Sequence, residues 1–196
     1  MINIYDMSDF YNSLNEPQKE FFDHYKSNDY YFDSEHFATA LNEKLRNGIV
    51  SADWQTAINI LDEIILKHQL TQEQTVYRVT SLEIINAFRS CNEISYPAFL
   101  STATDLPSVR THFKTLNTWD TPVIMKIICP EETHIAPFEN DTSSGMEKEM
   151  LLGRNQKLTI INEEIVTDRP KIEQYMDRDL AIDFDQLHLV TIKLVV

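Results

Sequence analysis

Glu147-Lys148-Glu149-Met150-Leu151-Leu152, then a polar turn, then Lys157-Leu158-Thr159-Ile160-Ile161, is the stretch that decides how this chain reads. Both halves are apolar and strand-like. Side chains alternate faces along a strand, so Glu147 and Glu149 are expected on one side, at the opening of a half-buried β-strand. Like charges held side by side destabilise a sheet unless something uses them. Taken alone, the pair reads first as a solvated strand face.

Two upstream segments change that balance. Thr75-Val76-Tyr77-Arg78-Val79-Thr80 is a β-branched and aromatic run with one arginine in its middle. Ala98-Phe99-Leu100-Ser101-Thr102-Ala103 is an apolar approach ending in adjacent hydroxyls. An aromatic-Arg strand, a Ser-Thr strand end and a Glu-x-Glu, in that order, resemble the arginine, serine and double-glutamate pattern of mono-ADP-ribosyltransferases of bacterial toxin, effector or phage type. By motif the resemblance covers 77–161, and it reaches the N-terminal helices only by general layout. It implies an α+β fold in which N-terminal helices pack on a two-sheet β-sandwich core, with NAD in the cleft between the sheets.

The resemblance also implies roles. Cleavage of the nicotinamide–ribose bond develops positive charge on the ribose, which fixed negative charge stabilises. Glu149 matches the glutamate that supplies this charge and holds a ribose hydroxyl. Glu147 matches the residue that orients the acceptor and helps take its proton. Glutamate there, in place of glutamine, goes with arginine acceptors, because a carboxylate pairs with a guanidinium. Ser101 would hold the catalytic carboxylate in place, with Thr102 beside it, while Ala103 departs from the family's third hydroxyl. Arg78 would contact the NAD phosphates, and an arginine in an apolar strand needs a partner in any case. Val79 stands where relatives often have glycine, and its backbone would face the nicotinamide amide. Phe113 reads either as core or as the aromatic that relatives place against the nicotinamide ring; Arg110 and Lys114 flank it and could reach phosphate. The polar loop 139–146 looks like the mobile loop that presents the target protein.

Composition sets limits around this reading. A length of 196 residues suits one domain with a substantial core, 1–70 helical and 75–196 forming the mixed β core. A net charge of −14 argues against nucleic acid as partner, since phosphate backbones are met by clustered Lys and Arg. Cys91 and Cys129 are too few for a disulfide framework and read as two reduced, packed thiols. The six histidines form no ligand cluster, so no metal is expected. With only three glycines the chain has no Gly-rich phosphate loop, so NAD as co-substrate would not be held in the Rossmann manner. Met1-Ile2-Asn3-Ile4-Tyr5-Asp6 carries neither a basic region nor an apolar run, and no stretch approaches the ~18 apolar residues of a membrane span. A soluble protein without a secretory signal is expected, monomeric, acting in the cytoplasm of a host cell.

Hydrophobic spacing locates the elements. Ser8 with Asp9 is expected to cap a first helical segment bearing Phe10, Tyr11 and Leu14, with Pro17 in the first turn of the next, which carries Phe21, Phe22 and Tyr25. Phe37, Leu41 and Leu45 follow Ser34-Glu35 and stop at Asn47-Gly48, and Trp54, Ile58, Leu61 and Ile65 form a third stripe from Ser51, widened by Ile60 and Ile64. Strands are expected at 75–80, 98–103, 122–129, 133–138, 147–152, 157–162 and 186–195, with helices from 81 to 87 or 89 and over 107–116. The leading functional expectation is transfer of ADP-ribose from NAD to an arginine of a target protein. An NAD glycohydrolase, and an inactive module of the same fold that binds a partner, are the competing readings.

Overall fold

A computed structural model describes residues 9–31, 35–116, 120–139 and 148–195. Ser8, Ser34, Glu147 and loop positions 140–146 lie outside the described residues.

A helical stretch over 9–12 precedes α1 (Glu16–Ser27), which starts at Asn15 through reciprocal bonds: the Asn15 side chain accepts from Gln18 N at 3.0 Å, and Gln18 Oε1 accepts from Asn15 N at 3.3 Å. Pro17 sits in its first turn, where no intrahelical N–H is required. A small hairpin, β1 (Tyr30–Tyr31) and β2 (Glu35–His36), leads to α2 (Phe37–Asn47). That helix ends at Gly48, whose φ of +67° lets its N–H bond back to Leu45 and Lys44 carbonyls at no steric cost. Next comes α3 (Ala52–Leu66), which buries Trp54, Ala57, Ile58, Leu61, Ile64 and Ile65, while Ile60 is only partly covered. Aromatic rings join the helices: Phe37 stacks on Trp54 at 5.5 Å, and Phe22 stacks at 3.9 Å on Phe138 beyond α3.

The remaining elements are β3 (Gln74–Ser81), α4 (Leu82–Ala87), β4 (Arg89–Ser90), β5 (Glu93–Tyr96), β6 (Leu100–Ala103), α5 (Leu106–Val109) running into a 3₁₀ turn (Arg110–Thr115), β7 (Pro122–Cys129), β8 (Ile135–Pro137), β9 (Glu149–Leu152), β10 (Gln156–Val166), α6 (Arg169–Ile172), α7 (Arg178–Ala181) and β11 (Leu187–Leu194). Hydrogen bonds order the nine strands of the main sheet β4-β5-β10-β11-β7-β3-β6-β9-β8. Among the described residues only β11 and β7 run parallel. The β3–β6 ladder is one residue pair, Tyr77 with Ala103. Six strands and three strands are therefore two well-paired groups that meet at a single residue pair, and with the N-terminal helices they make up the expected α+β fold.

Strand alternation sorts the apolar residues. Val76 of β3, Met125 and Ile127 of β7, and Val190 and Ile192 of β11 face the helices in the larger cluster. Val79, Ile124 and Leu187 point the other way, into a second cluster with Val109, Phe113, Ile172 and Phe184.

Several expectations change. The β4–β5 hairpin replaces the end of the helix drawn to 89: Cys91 takes a left-handed φ of +54° and turns the chain, after which Ile94 and Tyr96 alternate inward. Strand β10 runs to Val166, beyond 162, because β11 pairs with it along that length. The helices α6 and α7 are too short to show a period. Cys129 is packed as expected, and burial pushes its thiol up to about 12, but Cys91 is exposed. Among the described residues no helix is long and apolar enough to cross a membrane.

Candidate active site

The single-pair contact between β3 and β6 makes the site. Past Tyr77 the two strands no longer exchange ladder bonds, and the Arg78 guanidinium spans the opening, donating from NH1 to the Ser101 carbonyl at 2.7 Å. The arginine thus satisfies a strand carbonyl that lacks a backbone partner there. On the other side of β6, β9 pairs in register: Ala103 lies opposite Glu149 and Thr102 opposite Met150. That register brings the Ser101 hydroxyl to Glu149 Oε1, to which it donates. Thr102 Oγ1 donates to Met150 O at 2.7 Å and ties the same two strands together.

Helices α1 and α2 form the opposite wall. Lys26, in the last turn of α1, reaches Glu149 Oε2 at 2.6 Å and Glu139 Oε1 at 3.4 Å. Glu139 Oε1 accepts the Glu149 backbone N–H at 2.9 Å. Asn42 of α2 donates to the Tyr25 hydroxyl at 2.8 Å and accepts from Phe99 N at 3.0 Å, fixing α2 against the start of β6. Burial pushes the Tyr25 phenol well above its ordinary value, the Asn42 bond opposing and the nearby Glu149 charge adding, so it stays neutral. The cleft between the walls has a volume of about 440 Å³, and its polar lining includes Lys26, Asn42, Arg46, Arg78, Ser101 and Glu149.

Of the residues singled out in the sequence, Arg78, Val79, Ser101, Thr102 and Glu149 all border this cleft. Glu147 lies outside the described residues, and the premise that placed it fails locally: Lys148 has a φ of +50°, so the extended strand begins at Glu149 and alternation does not carry back through Lys148. Phe113 is corrected to a core residue. It is 1% exposed inside the second cluster, across the sheet from Arg78, and its neighbour His112 borders the cleft instead. Arg110 is likewise drawn off, donating to the Gln174 carbonyl at 2.5 Å. Glu139, read as the start of the polar target-presenting loop, is 8% exposed and points inward. Lys26, Tyr25 and Asn42 were missed as site residues. Their helical spacing marks only packing, and nothing local reveals that the last turn of α1 meets β9.

The approach to β9 is held from both sides. Thr104 N donates to the Lys148 carbonyl at 3.1 Å, and the Lys148 ammonium pairs with Asp105, whose carboxylate also caps α5 by accepting from Ser108 N at 3.0 Å. Burial works upward on the Asp105 carboxyl, but the bonds from Lys148 and Ser108 prevail and hold it below its ordinary 3.8. A depressed carboxylate stabilises the fold above its unfolded pKa and loses that contribution as pH falls through its folded pKa. Asn can still cap the helix, so Asp105→Asn removes the charge alone and should cost roughly 0.5–1 kcal/mol at pH 7, discounted for the partly exposed pair. Urea unfolding at pH 7 and again at roughly pH 3 should show the gap between variant and wild type closing at the lower value.

Comparison with known proteins places this geometry. The family model for the ADP-ribosyltransferase exoenzyme matches residues 5–183, and the chain belongs to that family of transferases and toxins. Plx2a, an ADP-ribosyltransferase toxin from Paenibacillus larvae, superposes with a TM-score of 0.67 at 18% identity, over 96% of this chain and 90% of its own. C3larvin toxin from the same organism gives 0.65 at 16% identity, over 100% and 96% of the two chains. The ADP-ribosylating toxin BECa of C. perfringens, solved with NADH, gives 0.64 at 12% identity, over 95% of this chain and 45% of its own. At these identities the likeness is one of fold. No curated protein matches the sequence.

Proposed function

We propose that the chain is an NAD-dependent mono-ADP-ribosyltransferase that modifies arginine on a target protein, with Arg78, Ser101 and Glu149 as the core of its site. The observation that carries this reading is the Ser101 hydroxyl bonded to Glu149 Oε1 on a cleft wall that also holds Arg78. The donor set fits a dinucleotide. Arg46 and Arg78 supply planar cations for a diphosphate, while Ser101, Asn42 and Glu149 offer hydroxyl, amide and carboxylate partners for ribose and base. A cleft of about 440 Å³ lies in the size range of small-molecule sites. NAD supplies the ADP-ribosyl group, its nicotinamide–ribose bond breaks, nicotinamide is the leaving group, and the acceptor gives up one proton.

In this reading the residues divide the labour. Arg78, already fixed by the Ser101 carbonyl, meets phosphate without further ordering. Ser101 fixes the rotamer of Glu149, whose carboxylate supplies the negative charge for the positive charge that grows on the ribose. Val79 and Thr102 border the nicotinamide end, Val79 through its backbone. The arginine acceptor rests on Glu147 in the sequence, and on the charge-assisted pairing a carboxylate offers a guanidinium. The described residues would serve hydrolysis of NAD by water equally well, so glycohydrolase activity is the second reading.

Incubation with labelled NAD and a host-cell lysate, followed by mass spectrometry, separates the two. ADP-ribose on arginine of a discrete protein is the expected result. Free ADP-ribose with no labelled protein would favour the glycohydrolase, and intact NAD would overturn both.

A further inference from the structure

Lys148 stands between the two glutamates of the motif with a left-handed φ of +50°, a conformation that is sterically strained for a residue with a Cβ. Glu149 does not require it, because its own bonds already place it. It lies opposite Ala103 in the β6–β9 ladder, its N–H donates to Glu139 Oε1 at 2.9 Å, and its carbonyl accepts from Phe138 N at 2.9 Å. Two grips from the chain leaving β6 hold the strained turn. Thr104 N donates to the Lys148 carbonyl at 3.1 Å, and the next residue, Asp105, pairs with the Lys148 ammonium. Asp105 is itself fixed at the start of α5: its Oδ1 accepts from Ser108 N at 3.0 Å and from Ser108 Oγ at 2.7 Å, while Oδ2 takes the ammonium. The Lys148 and Asp105 side chains are 39% and 33% exposed, and an ion pair so open to water adds little to global stability. Its effect is local, on the backbone that it holds.

We propose that Lys148 is a positioning residue for the acceptor step: clamped in the left-handed region by Thr104 and Asp105, it sets how Glu147, the residue before it, is offered relative to Glu149. The inference rests on the reading of Glu147 as the carboxylate that takes the acceptor arginine. The peptide units on either side of a residue are rigid, so rotation about its N–Cα bond orients the chain before it against the chain after it. Extended backbone at Lys148 would put both glutamates on one face by strand period, and a left-handed turn breaks that relation. Two activities that share Glu149 then depend on the clamp unequally. Hydrolysis of NAD needs Arg78, Ser101 and Glu149, all held without Lys148. Transfer to arginine needs the residue on the far side of the turn as well. An ordinary surface ion pair would affect both activities alike, through stability alone.

The test compares two rates for the full chain: labelled protein formed from labelled NAD in a host-cell lysate, and nicotinamide released from NAD alone. Wild type, Lys148→Met, Lys148→Gly, Lys148→Arg and Asp105→Asn are measured, each checked for folding by circular dichroism. Lys148→Met loses the tether and keeps the strain, so it should lower transfer about tenfold and leave nicotinamide release within about twofold of wild type. Lys148→Gly removes the same charge but adopts a left-handed φ without steric cost, so its transfer should exceed that of Lys148→Met by about threefold or more. Lys148→Arg keeps the cation and should also outperform Lys148→Met, and Asp105→Asn, with a weaker grip, should fall between wild type and Lys148→Met. Equal transfer by Lys148→Met and Lys148→Gly would assign the loss to charge alone and overturn the proposal. Wild-type transfer by Lys148→Met, or nicotinamide release falling in step with transfer, overturns it too. Should Lys148→Met fail to fold, Asp105→Asn decides by itself, and wild-type transfer there overturns the proposal. A wild type that releases nicotinamide but labels no protein overturns the underlying reading of Glu147 instead, which distinguishes the two failures.

Discussion

Glu149→Gln should lower the rate of NAD cleavage by about a hundred- to a thousandfold, equivalent to roughly 3–4 kcal/mol of lost transition-state stabilisation. The amide has the size of the carboxylate and still offers an oxygen to the Ser101 hydroxyl, so the β6–β9 register that frames the site is retained. What disappears is the negative charge facing the ribose, and with it a carboxylate partner of the Lys26 ammonium. Glu139 keeps that ammonium paired, so the variant should fold. The measurement is nicotinamide release beside a thermal melt. Turnover within a few-fold of wild type in a folded variant would remove Glu149 from the chemistry.

Glu147→Gln should separate two activities that share one cleft. Transfer to protein arginine should fall by about a hundredfold or more, because a neutral amide neither pairs with a guanidinium nor accepts its proton. Hydrolysis of NAD to water should persist near the wild-type rate, since Arg78, Ser101 and Glu149 are untouched. Released ADP-ribose and labelled protein, counted in the same reactions, decide between outcomes. Equal loss of both would make Glu147 a structural or cofactor residue. Loss of neither would withdraw arginine as the acceptor and put glycohydrolase first.

The parts of the site that could be read in the sequence are those carried by strands. Arg78, Ser101 and Glu149 each stand out locally, as a charge in an apolar run, a hydroxyl at a strand end and a carboxylate at a strand start. Strand period then places each on a face without knowledge of its partner. Phe113 stayed open in the sequence because an apolar ring at the right distance along the chain satisfies a core and a ligand wall alike; the second cluster, with Val109 and Phe184 in it, makes it core. Glu139 misled in the opposite way. Its polar surroundings in sequence read as a target-presenting loop, while its carboxylate bonds to the Glu149 N–H inside the fold.

By itself the sequence determined the N-terminal helices, the strands β3 and β6 to β11, the stop at Gly48, and the arginine, serine and glutamate of the motif, because each depends on backbone preferences or periodicities within a few residues. The tertiary structure decided what stands across the cleft. Lys26 reaches Glu149 over 123 residues of chain, Arg78 reaches the Ser101 carbonyl because β3 and β6 share a single pair, and Lys148 leaves the extended region where alternation would have continued the strand. Such contacts depend on how separate elements dock, and docking is set by the summed packing of buried faces, a quantity that no local pattern encodes.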